Sequence, residues 1–208
     1  MAKLPVITIG RQFGSGGRAI ARKLSERLGI PFYDKELLAL AADKSGYSEE
    51  VLSHVDERAT NKFFYTMTHS ISAAAVLSGS FDMSMNDKLF LILSDVIKQK
   101  AEEGPCIIVG RCADYVLRGK KDVVNLFIHL DMEGRKERVS AFDGVSPEKA
   151  EKVIEKADKQ RASFYNYYTN RKWGHYRNYH LMVDSGIGID KTVDFLEYYV
   201  KNFTKEEE

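Results

Sequence analysis

The stretch from residue 4 to residue 24, LPVITIGRQFGSGGRAIARKL, changes its periodicity twice. An apolar run suited to a strand gives way to a glycine-rich turn, and the turn to an amphipathic helical pattern. In that order the three pieces leave several backbone N–H groups pointing out of one loop, at the positive end of a helix dipole. Such a loop is a cradle for phosphate oxygens. The nucleotide-binding pattern G-x-x-x-x-G-K-[ST] asks for a lysine and a hydroxyl after its last glycine. Here Gly14-Ser15-Gly16 is followed by Gly17 and Arg18, so the cradle is present while its usual cation is displaced by one residue. Ala19 stands where the hydroxyl belongs, and Ser15 is the nearest alternative. Three glycines in four residues, with Arg11 and Arg18 on either side, favour a phosphate site over a bare turn. Its donors are the N–H groups of Ser15, Gly16, Gly17 and Arg18, and the anion is expected against the loop from Gly14 to Arg18.

The remaining apolar runs follow the same alternation. Short strands are expected at residues 6–9, 30–33, 106–109, 123–130 and 181–183, with helices at 16–28, 86–100 and 190–202. Residues 35–58 read as two helices broken near Ser45-Gly46, and residues 60–83 as a helix with a break at Gly79. Wholly apolar strands such as 106–109 belong to buried parallel sheets. Strands alternating with helices point to a three-layer α/β domain with a five-stranded parallel sheet. A charged helical region fills residues 133–173, interrupted at Asp143-Gly144 and restarted by Ser146-Pro147-Glu148. A length of 208 residues suits a single domain spanning 1–208, with an acceptor-side helical region at about 35–100 and a lid at about 133–173.

Charge and composition remove several classes. With 31 Lys+Arg against 30 Asp+Glu the chain is nearly neutral, unlike a general nucleic-acid binder. No apolar stretch approaches the ~20 residues of a membrane span, and no leader pattern opens the chain. Cys106 and Cys112 fit no metal framework and read as reduced thiols of a cytoplasmic protein. His175 and His180 lack the cysteine pair a zinc site would need, so no metal site is assigned.

The candidate chemistry lies where strands end. Asp34 closes the second strand, at the sheet edge where open α/β folds bind ligands, and also stands where it could cap the next helix. Gly110-Arg111-x-x-Asp114 follows the third strand at the same edge. Arg111 is suited to gripping an acceptor phosphate, and Asp34 or Asp114 to acting as its carboxylate partner. In the region 133–173, Arg135, Arg138 and Arg161 form a set of cations able to close over a transferring phosphoryl group. Asp158 and Arg161 lie three apart on one helical face. Without a phosphate between them the three arginines repel. The aromatic residues that follow, Phe164, Tyr165, Tyr167, Tyr168 and Trp173, read as packing of the lid or as a base-stacking platform.

Four stretches together resemble the cytidylate kinase-like family: residues 10–18 (GRQFGSGGR), 31–37 (PFYDKEL), 109–114 (VGRCAD) and 158–173. True cytidylate kinases carry an acid directly after the matching arginine, where this chain has Cys112. The resemblance implies a P-loop nucleoside-monophosphate kinase fold and ATP-dependent phosphoryl transfer to a nucleoside monophosphate such as CMP. Magnesium and ATP are the implied cofactors, and a small phosphate acceptor the implied partner. In that reading Arg18 stands in for the lysine, Arg135 and Arg138 join it on the donor, Arg11 and Arg111 hold the acceptor, and Asp34, Asp114 and Arg161 complete the catalytic set. A kinase for another small metabolite, or a nucleotide-binding regulator without turnover, is the alternative. The apolar insertion at 62–85 suits a less polar acceptor or a homodimer contact.

Overall fold

The computed structural model describes residues 4–47, 50, 84–144 and 146–203. The expectations for 48–58 beyond residue 50, for 60–83 and for the acidic tail at 206–208 lie outside the described residues. The chain begins with β1 (Val6–Arg11), α1 (Gly17–Leu28), β2 (Phe32–Tyr33) and α2 (Glu36–Ser45). It continues through α3 (Met85–Glu103), β3 (Ile107–Val109), α4 (Ala113–Val116) and β4 (Val123–His129). The lid region holds α5 (Met132–Asp143) and α6 (Pro147–Thr169), followed by β5 (Leu181–Asp184) and α7 (Ile189–Lys201).

The five strands form one parallel sheet in the order β2-β3-β1-β4-β5. The strand period of two divides their side chains between two cores. Ile7, Ile9, Ile107, Val109, Val124, Leu126 and Ile128 meet Ile20 and Leu24 of α1 and Val193 and Leu196 of α7. On the other face Val6, Ile108 and Val123 pack with Leu37 of α2 and with Leu89, Leu93 and Ile97 of α3. Each fully buried Ile or Leu contributes about 1.5–3 kcal/mol, so the doubly covered sheet is the rigid part of the molecule. The sheet is built outward from β1 in both directions, which opens a crevice at the carboxyl ends of β1, β3 and β4. Every strand expected from the sequence is present, displaced by no more than two residues at either end.

A third, small core joins the lid region to the loop. Val139 of α5 packs with Ala150 and Ile154 of α6, and Phe13 of the glycine-rich loop inserts against them. The helices at 133–173 therefore rest on the glycine-rich loop. No helix among the described residues is long and apolar enough to cross a membrane.

Candidate functional site

The loop between β1 and α1 turns on two glycines in the left-handed region, Gly14 at φ 77° and Gly16 at φ 76°. L side chains rarely adopt that conformation, and a Cβ at Gly14 would come within 3.1 Å of the Arg135 carbonyl oxygen. Gly16 is the N-cap of α1. The first amide of the helix to find an intrahelical acceptor is that of Ile20, which donates to the Gly16 carbonyl at 3.0 Å. Gly17, Arg18 and Ala19 precede it and line an open cleft of ≈ 780 Å³. Ser15 is turned the other way. Its hydroxyl donates to the Gln12 carbonyl at 2.9 Å, while its own carbonyl accepts from Arg138 Nη1 at 2.6 Å and from Ser185 Oγ at 2.7 Å.

On the far wall of the cleft, Arg11 and Arg18 pair with one buried carboxylate, and Arg111 and Arg161 stand near Arg11. Arg18 Nε donates to Asp34 Oδ2 at 2.7 Å, and Arg11 Nη2 lies 3.7 Å from Asp34 Oδ1. Arg161 donates from Nη1 to the Arg11 carbonyl at 3.0 Å and lies over the Phe13 ring. Burial, then the neighbouring charge of Arg161, pushes the Arg11 guanidinium down to about 9; Asp34 opposes this while Arg111 and Arg18 add to it. Burial likewise lowers Arg161, with Asp158 and Asp34 opposing and Arg111 assisting. A guanidinium holds its proton under such pressure, so the cluster is relieved by drawing in an anion.

The turn after β3 completes this wall. Gly110, Arg111 and Cys112 follow one another at φ 73°, 56° and 56°. Two consecutive non-glycine residues in the left-handed region cost roughly 1–2 kcal/mol each, and they place Arg111 on the rim of the cleft. Gly110 has no room for a side chain, because a Cβ there would lie 2.1 Å from Arg11 Nη1. Burial pushes the Cys106 thiol up to about 11 and the Cys112 thiol higher still, so neither is a nucleophile.

The cleft is thus lined by Arg11, Gly14, Gly16, Gly17, Arg18, Asp34, Arg111, Arg138 and Arg161 from the sequence-derived set. Three others stand apart from its lining. Ser15 is packed beneath the loop. Arg135 is buried and ion-paired with Asp158, whose other oxygen accepts from the Phe13 N–H at 2.7 Å. Asp114 lies in a smaller cavity of ≈ 210 Å³ behind Arg111, walled by Phe164, Tyr165, Trp173 and Tyr179. Arg135, Arg138 and Arg161 each have their own acceptor: Asp158, the Ser15 and Ser185 carbonyls, and the Arg11 carbonyl. Arg22 and Phe142 also line the cleft and were not singled out. Arg22 is one helical turn from Arg18, a spacing that marks it in the sequence. Phe142 is 80% exposed, and no pattern distinguishes it from an ordinary helical apolar residue.

Asp114 accepts a hydrogen bond from the Tyr165 hydroxyl at 2.6 Å. Burial raises its pKa, while the Tyr165 bond and the charge of Arg171 pull it back. An acid with a raised folded pKa is destabilising once ionised, above that pKa, and neutral in effect below its unfolded value near 3.8. Asp114→Asn keeps an acceptor for Tyr165 and removes the charge. It is expected to melt higher than the parent at neutral pH, with the gap closing as the pH falls toward 4, as read by calorimetry over a pH series. A gap that is constant with pH would show that the ionised form carries no such penalty.

The loop fits the phosphates of a nucleotide, through its unpaired helix-start amides and glycines that any Cβ would crowd. For a divalent cation the cleft offers Asp34 as its carboxylate. Among the described residues no three His, Cys, Asp or Glu side chains converge as a metal site.

Comparison with known proteins agrees with this geometry. The cytidylate kinase of Methanopyrus kandleri is 27% identical over 169 residues, covering 77% of this chain and 74% of that protein. The solved structure of an uncharacterized protein from Eubacterium ventriosum superposes with a TM-score of 0.70 at 28% identity, over 96% of this chain and 99% of that one. Shikimate kinase from Bacteroides thetaiotaomicron superposes at 0.54 and 13% identity, over 95% and 99% of the two chains, and shows the shared α/β kinase fold. The profile of the cytidylate kinase-like family matches residues 6–187, from the first strand to the segment after the last. The chain belongs to the cytidylate kinase-like family.

Proposed function

We propose that the protein transfers the terminal phosphoryl group of ATP to a small phosphate-bearing acceptor, with a nucleoside monophosphate, CMP first, as that acceptor. The observation that carries this reading is the position of the guanidinium cluster. It lies between a phosphate-type loop and a strained arginine turn, so donor and acceptor phosphates would meet across it.

In this reading the amides of Gly16, Gly17, Arg18 and Ala19 hold the donor phosphates. Arg138, fixed by Ser15 and by the hydroxyl and carbonyl of Ser185, supplies positive charge beside them. Arg111 and Arg161 grip the acceptor phosphate, and their forked donors set its orientation. Asp34 keeps Arg11 and Arg18 in place and faces the acceptor oxygen. Arg135 acts through Asp158, as a brace for the loop. Magnesium, arriving with the nucleotide, supplies further neutralisation of the phosphate charge. The helices at 133–173 form the lid of a single domain covering 1–208, with the acceptor region at 35–100. The aromatic residues at the end of α6 anchor the lid: Tyr168 stacks on Phe90 of α3 at 4.1 Å between ring centroids.

A coupled ADP-release assay over nucleoside monophosphates, nucleosides and other small metabolites, with magnesium ATP, tests the reading. Turnover with CMP is expected. Arg111→Ala is expected to raise the acceptor KM at least tenfold, about 1.4 kcal/mol, with the KM for ATP little changed. ATP binding without turnover on any acceptor would favour the regulator reading, to which the absent lysine lends support.

A further inference from the structure

Phosphoryl transfer asks for a cation over the donor phosphates, and this chain has Gly17 where a lysine is usual. The structure gives the reason. A Cβ built on Gly17 would lie 2.6 Å from Arg11 Cβ and 3.0 Å from Arg11 Cγ. The Arg11 Cβ is fixed by the backbone, so no change of rotamer clears the closer contact. A lysine at position 17 and an arginine at position 11 claim the same volume. Arg11 fills it and continues past the start of α1 toward the ends of β3 and β2. Its Nη1 is close enough to Gly110 to exclude a side chain there, and its Nη2 lies 3.7 Å from Asp34. It lines both the phosphate cleft and the smaller cavity behind Arg111. Arg18 is placed differently: its Nε is bonded to Asp34, and half of its side chain is exposed.

We infer that Arg11, running from the end of β1 past the start of α1 into both cavities, takes the part of the missing lysine as the phosphate cation between donor and acceptor. The assignment rests on the kinase reading above. It turns the absent lysine from a defect into an exchange: glycine at position 17 leaves the room that arginine at position 11 occupies. Of the three cluster guanidiniums that pair with a carboxylate, Arg11 is also the least exposed. An added phosphate stabilises it more than it would an exposed, already paired cation.

The test uses ATP and AMP binding by calorimetry without acceptor, alongside turnover. Arg11→Met keeps the stem and removes the charge. It is expected to lower ATP affinity at least about tenfold, the range of a charged hydrogen bond, with AMP affinity nearly unchanged. Its melting temperature without nucleotide should not fall, since one of four mutually repelling charges is gone. Gly17→Lys alone is expected to melt lower and bind ATP poorly. In the pair Arg11→Gly with Gly17→Lys the lysine has room, and the preference for ATP over AMP is expected to return. Glycine is needed at position 11 because the 2.6 Å approach is to Arg11 Cβ itself. The pair Arg11→Gly with Gly17→Ala should not recover that preference. Retained ATP preference in Arg11→Met overturns the inference, as does a lysine pair no better than the alanine pair. Should the paired variants fail to fold, Arg11→Met decides alone. A parent protein that binds ATP no better than AMP would instead remove the kinase reading, and the inference with it.

Discussion

Asp34→Asn is expected to lower the melting temperature by roughly 6–12 °C, from a loss of about 3 kcal/mol in a chain of this size. Asp34 is the carboxylate to which Arg11 and Arg18 turn, and its charge also reaches Arg161. Breaking a buried ion pair from one side costs ~3–5 kcal/mol, because the remaining charge stays desolvated. The lower figure applies because Arg18 is 49% exposed and water screens its share. The signature that separates this from ordinary destabilisation is rescue by inorganic phosphate. An anion held by the folded state alone adds RT ln(1 + [L]/Kd), about 2.7 kcal/mol at a hundredfold excess over Kd. Phosphate is therefore expected to raise the melting temperature of the variant more than that of the parent. Equal phosphate shifts in the two proteins would mean that the cluster is not the anion site.

Asp158→Ala is expected to cost about the same, for a different reason. The Asp158 carboxylate accepts from Arg135 of α5 and from the Phe13 amide of the loop, and lies 4.0 Å from Arg161. Arg135 is 8% exposed, and its Nε has no partner among the described residues, so it depends on this one carboxylate. Without it a buried guanidinium and a loop amide are both left unsatisfied, a loss of ~3–5 kcal/mol. Asp158→Asn, which still accepts from Phe13, should fall between the alanine variant and the parent. Arg135→Met combined with Asp158→Ala should recover part of the loss, with a coupling of at least about 0.5 kcal/mol. Strict additivity in denaturant melts would show that the two side chains do not depend on each other.

The strands were legible in the sequence because each is a short apolar run bounded by glycine, proline or charge. Covering both faces of a parallel sheet leaves no polar position in β3 to blur the signal. The polar contacts of the site were harder to read. Arg138 and Arg161 are held largely by carbonyl oxygens, of Ser15, Ser185 and Arg11, and every residue carries a carbonyl. Nothing in the letters marks which one is used. Asp34 was readable as a sheet-edge acid, but its two ion-pair partners approach from the end of β1 and the first turn of α1. The significance of Gly17 needed the path of the Arg11 side chain, which is a matter of volume in space and not of spacing in the chain. For the aromatic run, Tyr165 on Asp114 and Tyr168 on Phe90 and Asp87 favour packing of the lid region onto the core over base stacking.

Helix α6 has 23 residues, which makes a rod of about 35 Å. At its midpoint, Asp158 hooks the glycine-rich loop by accepting from the Phe13 amide. Toward its end, Tyr168 is riveted to α3 by the stack on Phe90 and by a hydrogen bond to Asp87 at 3.0 Å. Rigid elements transmit displacement with little loss. The rod therefore ties the glycine-rich loop to α3, and the two cannot shift independently. Under the proposed kinase function, whichever substrate enters first sets the pose that the second one meets.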